Sequence, residues 1–337
     1  MSVSNTTVLN LLKNMGIQEY MDRSGVTEVA INQYGHILTE SSRGWEIFSE
    51  PRCTHDALLK LANALAIFNG GYITSENPIL SVTLPYGQRG QIVVPPACEA
   101  GTVSLTIRIP SQTRFTLGDY IESGRIVPAT DLSSAGDLAE WEKEMVMANK
   151  RQDWQTFFRL AVVNKLNLVT VGGTGSGKTT FSKAIADLVP PEVRLFTLED
   201  TPELNLPNHP NHVHLFYRKN SAAQSPKILI ESCMRMKPDR VFLTELRSDE
   251  AWDYINLLNT GHPGSLTSVH ANSGRETHYR VAGLVKQSEV GKGLDFDFVL
   301  REIQTTLDVI CVFKHTYLRE LVYEPERKHE LFEGKFN

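Results

Sequence analysis

Cysteine is sparse in this 337-residue chain, and its four copies, Cys53, Cys98, Cys233 and Cys311, stand far apart with no C-x-x-C pair among them. That scatter argues against a structural zinc site and suits thiols kept in a reducing compartment. Positive charge is also in short supply, because 34 lysines and arginines against 39 acids leave a formal net charge of -5. A protein that lives by gripping phosphate backbones is disfavoured on that balance, although a local basic groove leaves direct nucleic-acid contact open. Long apolar runs are missing as well. The longest, residues 58–68, is interrupted by Lys60 and Asn63 and is too short to span a bilayer. The opening MSVSNTTVLNLLKNM lacks the positive segment, apolar core and small-residue cleavage site of a secretory signal. A protein on the cytoplasmic side is expected, with no internal repeat and no low-complexity tract.

What is present is enough for a sizeable core. A hydrophobic fraction of 41% over this length suits two folded domains. Residues 1–110 read as a small α+β N-terminal domain: alternating strands in EVAINQYGHIL (28–38), a helical run near 54–69, and ILSVTLPYGQRGQIVVPP as a hairpin turned at residues 86–90. Residues 111–139, rich in Gly, Ser, Pro and charge, read as a linker. From residue 140 to the end, helix and strand alternate, the pattern of an α/β domain with a parallel sheet.

The most informative stretch is GGTGSGKTT, residues 172–180, directly after the apolar run 166–171 that reads as a buried strand. Gly172, four residues, then Gly177, Lys178 and Thr179 is the spacing of a phosphate-binding loop. Gly172, Gly173, Thr174, Gly175, Ser176 and Gly177 let the main chain approach phosphate, and the helical run 179–189 aims free N–H groups at it. In such a loop Lys178 neutralises the β- and γ-phosphates of ATP, while Thr179, followed by Thr180, holds Mg²⁺.

Two further strands end in acids. VRLFTLED ends at Glu199 and Asp200, and DRVFLTE ends at Glu245, placing carboxylates at the strand ends where ligands of parallel sheets lie. Such groups hold Mg²⁺ through water or orient an attacking water; equally, each could be a solvated strand end or a helix cap. Ser225-Pro226 opens a helix that Pro238 closes before the Glu245 strand, and Ser248-Asp249-Glu250 opens the next. TGHPGSLTSVHANS (260–273) carries His262 in a turn and His270 at the end of a short strand, where an imidazole near a γ-phosphate would sense or stabilise charge. HPNHVH (209–214) has metal-like spacing without a fourth ligand.

GGTGSGKTT, RLFTLEDTPEL, MRMKPDRVFLTELR and TGHPGSLTSVHANS, in that order, resemble the Walker A, Asp box, Walker B and His box of the secretion ATPase superfamily. Within it the chain is most similar to the traffic ATPases of bacterial type IV secretion and conjugation systems, and QRGQIVVPP with SLTIRIPS extends the likeness to the N-terminal half. The resemblance implies a RecA-like P-loop NTPase C-terminal domain joined to a smaller N-terminal domain, assembled as a homo-hexamer that opens and closes around ATP and Mg²⁺. It assigns Lys178 and Thr179 to phosphate and metal, Glu199 to the Asp box, Glu245 to Walker B with Mg²⁺ held through water, and His270 to the γ-phosphate. It also makes Arg108 the N-terminal arginine expected to reach the nucleotide, with Arg235, Arg240 and Arg247 as further candidates. Implied partners are the other ATPases of the system, including the coupling protein, at the cytoplasmic face of the inner membrane. One departure is Thr244 where the family commonly has Gly before the Walker B glutamate. Three alternatives stand beside this reading: a pilus-retraction or type II secretion motor, a nucleotide-binding scaffold with little turnover, and a DNA-translocating helicase.

Overall fold

The computed structural model describes residues 4–110, 116, 122, 138–218 and 221–334. The expected linker, residues 111–139, lies almost wholly outside them. Two sheets organise the described chain. The first has six strands in the order β3-β2-β1-β6-β5-β4, every neighbouring pair antiparallel. They run β1 (Glu28–Ile31), β2 (His36–Ser41), β3 (Gly44–Ser49), β4 (Ile79–Thr83), β5 (Arg89–Val93) and β6 (Ser104–Arg108). One apolar core joins this sheet to helices α1 (Asn5–Asn14), α2 (Ile17–Met21) and α3 (His55–Phe68), with Leu12, Ile17, Leu61 and Leu65 packed among Ile31, Ile37, Ile92 and Ile107. The expected helix near 54–69 starts where Thr54 accepts a hydrogen bond from the Ala57 N–H.

The second sheet has seven strands in the order β13-β12-β7-β11-β10-β8-β9. These are β7 (Leu168–Val171), β8 (Leu195–Glu199), β9 (His212–Phe216), β10 (Arg240–Leu243), β11 (Leu266–Val269), β12 (Val309–Lys314) and β13 (Tyr317–Val322). All neighbours are parallel except the final β12–β13 hairpin. Period-two alternation sends successive residues to opposite faces. Val169, Leu198 and Leu243 join a core with α7 (Pro226–Met236), α8 (Glu250–Asn259) and α9 (Gly274–Val285), whereas Leu168, Leu195 and Phe242 join a second core with α4 (Glu140–Arg151), α5 (Trp154–Val163) and α6 (Lys178–Ala186). Helices therefore cover both faces, as a parallel sheet buried on both sides requires. α7 is opened by Ser225 on the Ile228 N–H with Pro226 in its first turn, and it ends at Lys237 in the left-handed region (φ 54°).

A seam ties the two sheets together. Val93, Ala97 and Cys98 belong to the core of the seven-stranded sheet, and Cys98 bridges to Leu215 of β9. At the amino end of β8, Arg194 is wholly buried: its guanidinium donates to Asn32, Asn211 and Thr106, its Nε donates to the Met236 carbonyl, and Trp45 and Phe196 flank it.

Candidate active site

β7 ends at Val171, and the chain turns directly into the glycine-rich loop and α6. Glycine is required at two places there. A Cβ on Gly172 would lie 2.5 Å from the Phe313 carbonyl oxygen and 2.6 Å from Ser176 Oγ, and Gly177 enters the helix at φ 88°. Lys178 Nζ lies across the loop on the Gly172 and Gly173 carbonyls, at 2.7 and 3.0 Å. Burial lowers its pKa, with Glu245 opposing that shift. Ser176 Oγ is buried without a protein partner, and the first turn of α6 leaves N–H groups without intrahelical acceptors. A loop of open main chain, an unpartnered hydroxyl and a lysine fits phosphate oxygens.

The strand order spaces the acids. β10, which leads to Glu245, is separated from β7 by β11, so two inter-strand steps of about 4.8 Å divide the loop from the carboxylate. The intervening β11 delivers His270, whose Nε2 lies 3.2 Å from Glu245 Oε1. Arg247 completes the group: Nη2 meets Glu245 Oε2 at 2.6 Å and Nη1 meets Asp200 Oδ2 at 2.8 Å, so one guanidinium joins the ends of β8 and β10. Burial pushes the Glu245 carboxyl up, but Arg247, His270 and Lys178 outweigh it and hold it ionised. Of the three arginines near Walker B, then, only Arg247 belongs to the site. Arg240 is buried at the amino end of β10 on the Val162 and Gly264 carbonyls, and Arg235 bonds its own helix at Glu231.

Glu199 has a different place from the one its strand end suggests. It is fully buried, its oxygens accept from the Glu203 and Leu204 N–H groups and from Thr197 Oγ1 at 2.5 Å, and His214 Nδ1 lies 3.2 Å away. Every lone-pair direction is occupied by the fold. Its effect is to hold the segment after β8 so that Glu203 Oε2 accepts from Thr179 Oγ1 at 3.0 Å. The sequence motifs do not single out Glu203; its position four residues beyond Glu199, across Pro202, is the signal that could have found it. The HPNHVH stretch is absorbed by structure: His209 bonds the Val189 carbonyl, His212 the His209 carbonyl, and His214 of β9 meets Glu199 at the end of β8. His262 sits at the far end of the sheet on the Pro238 carbonyl.

Arg108 is not brought to the loop within this chain. It ends β6 beside Glu28 at 3.9 Å, two residues beyond Thr106, which contacts Arg194 at the amino end of β8. The loop lies at the carboxyl ends. Thr244 takes the strand position without strain, donating from Oγ1 to the Leu198 carbonyl at 3.3 Å while its own carbonyl accepts from Ser268.

A doubly wound sheet with a phosphate loop after one strand and a catalytic-type glutamate two strands away defines a P-loop NTPase of the RecA-like kind. Residues 142–321 match the model of the type II/IV secretion system protein family. The VirB11 protein of the Brucella suis type IV secretion system is 40% identical over 94% of this chain and 90% of its own, and that of Bartonella quintana is 36% identical over 98% of both. The crystal structure of the Brucella suis VirB11 ATPase in complex with sulphate superposes with a TM-score of 0.88 at 39% identity, covering 96% of this chain and 99% of that one. The chain belongs to the VirB11 family of type IV secretion ATPases. The mixed α/β, RecA-like fold expected from the motifs is the fold observed.

Proposed function

We propose that the site hydrolyses ATP with Mg²⁺ at the carboxyl ends of the parallel sheet, and that the energy drives assembly of, or substrate passage through, a type IV secretion machine. The observation that carries this reading is the juxtaposition of the loop, Thr179–Glu203 and the Glu245–Arg247–His270 group. Lys178 and the N–H groups of residues 172–180 bind the phosphates. Thr179 Oγ1 and the Glu203 carboxylate are the oxygen donors that suit Mg²⁺, with Glu245 reaching it through water. When bound, the metal would neutralise charge on the transferring phosphoryl group. Glu245, kept ionised, orients the attacking water; His270, at the end of β11, contacts the γ-phosphate side. Glu199 acts as a positioning residue, through Glu203, in place of a direct catalytic role.

The functional unit we propose is a homo-hexameric ring. The seam around Arg194 keeps Arg108 of a chain away from its own loop, so that arginine reaches nucleotide only when the N-terminal unit of an adjacent copy presents it. ATP touched from both sides favours a closed arrangement of neighbouring copies, and loss of the γ-phosphate releases it. Docking against other ATPases of the system, the coupling protein among them, at the inner membrane's cytoplasmic face is part of the same proposal. No described helix is long and apolar enough to cross a membrane.

Phosphate release measured across protein concentrations tests the reading. Specific activity should climb with concentration and vanish in Lys178→Ala; Arg108→Ala should weaken ATP more than ADP. An intact, folded protein that binds ATP without turnover would instead support the scaffold alternative.

A further inference from the structure

A well-formed cleft lies away from the phosphate loop. A cleft of about 730 Å³ opens at the opposite end of the seven-stranded sheet, beneath the amino ends of β7 and β12, between α9 and the C-terminal helix α10 (Pro325–Phe332). None of residues 172–180 lines it.

Its charges do not cancel. Four lysines and arginines line it against three acids: Asp308 accepts from the Asn167 N–H and pairs with Lys328 at 2.5 Å, Glu142 accepts from the Ala139 N–H and lies 3.2 Å from His329, and Glu324 is exposed with no ion pair among the described residues. Lys328 and His329 are thereby compensated. Lys165, Arg275 and Arg327 line the same cleft and have no acidic partner among the described residues. Arg275 and His278 stand three apart on α9, so they share a face. His278 makes no hydrogen bond among the described residues. Burial and the neighbouring Arg327 lower its pKa to about 4, so the imidazole is neutral and can donate or accept. Tyr323 Oη is buried in the wall without a partner. Leu258, Leu307, Ile310 and Val322 supply apolar surface beside these groups.

We propose that this cleft is a second ligand site, separate from the phosphate loop, which takes a small organic phosphate with an apolar body. The concavity is of the size that encloses small molecules, with an apolar lining and a few convergent polar groups. Two uncompensated guanidiniums are the side chains best matched to phosphate oxygens, which they grip bidentately. The apolar walls exclude a purely electrostatic reading, in which any small anion would do. The cleft also touches the amino ends of the strand that carries the loop at its other end, so a ligand here bears on the rigid element leading to Lys178.

The test uses the full chain with saturating ADP, so that the loop is blocked, and titrates 1-naphthyl phosphate by its fluorescence. One saturable site per chain is expected. Arg275→Glu with Arg327→Glu should weaken it at least about tenfold, and Lys60→Ala, on the exposed side of α3, should leave it unchanged. Both arginines are exposed, so the double variant should keep its melting temperature. Undiminished binding in the double variant, or no binding to the natural chain, overturns the proposal. Inorganic phosphate competing as well as the naphthyl ester would remove the organic body from it. Two further arms separate other occupants. Flotation with phosphatidic acid vesicles that depends on both arginines, without naphthyl phosphate binding, would assign the cleft to a lipid headgroup and overturn the soluble ligand. Binding that fades as the protein is concentrated would show a second copy covering the cleft, and would overturn it equally.

Discussion

Glu245 and Glu28 are both mostly buried glutamates with an arginine nearby, yet the two are driven in opposite directions. Arg247 meets Glu245 at 2.6 Å and His270 takes the other oxygen, so the carboxyl is held below its usual range despite burial. Arg108 stands 3.9 Å from Glu28, whose Oε2 is buried without a partner, and burial pushes that carboxyl up to about 7 against the pull of Lys237 and Arg108. Desolvation acts on both; a hydrogen bond at true bonding distance is what reverses it. The phosphate-loop end of the sheet uses direct contacts to keep a charge available. The seam end leaves one incompletely paired.

The largest effect should come from neutralising Glu245, the member of the pair proposed to orient the attacking water. Glu245→Gln keeps the shape but loses the charge, and ATP turnover should fall by roughly a thousandfold, read as phosphate release from protein with an unchanged melting curve. Next in size is Arg194→Ala. It strands Asn32, Asn211 and Thr106 in a dry seam, and urea unfolding should show a loss of about 3–5 kcal/mol. A smaller change would mean that water enters the seam.

Glu28 supplies the pH arm of the comparison. Its folded pKa of about 7 lies above its unfolded value, so its contribution to stability is complete below pH 4.5 and is lost as the pH rises through 7. Glu28→Gln should flatten that loss, on the order of 2 kcal/mol between pH 5 and 8.5 in denaturant midpoints. Glu245, with its pKa lowered, behaves inversely: its contribution is present above pH 4.5 and is lost as the pH falls through its folded value. Smallest of all, Thr244→Gly removes one hydroxyl hydrogen bond to the Leu198 carbonyl, and stability should drop by about 1 kcal/mol with turnover nearly unchanged.

The contrast also explains which parts of the site are legible in sequence. The loop, Glu245 and His270 are readable because each function lies in a contiguous stretch ending a strand. Glu199, Asp200 and Glu203 occur within five residues of one another, and the sequence does not say which points inward. Only the parallel pairing of β8 with β9, bringing His214 beside Glu199, turns Glu199 into the interior of the fold and leaves Glu203 for Thr179. The alternation in HVHLF is that of a strand, and the metal-like histidine spacing there is its by-product. Arg240 opens β10, whereas Arg247 lies four residues past its carboxyl end, and the motif alone does not say which of the two meets Glu245. The α+β character of the first 110 residues is legible from alternation and turns, but the seam is not, because it joins Asn32, Thr106 and Asn211 across long stretches of chain.

Arg194 has a mechanical consequence. A guanidinium clasped by both sheets and sandwiched between Trp45 and Phe196 behaves as a rivet: rotating one unit against the other would shear several short bonds at once and leave a bare cation in a dry joint. A displacement of one sheet therefore carries the other with it, and a pivot within this chain has to lie where no such rivet exists.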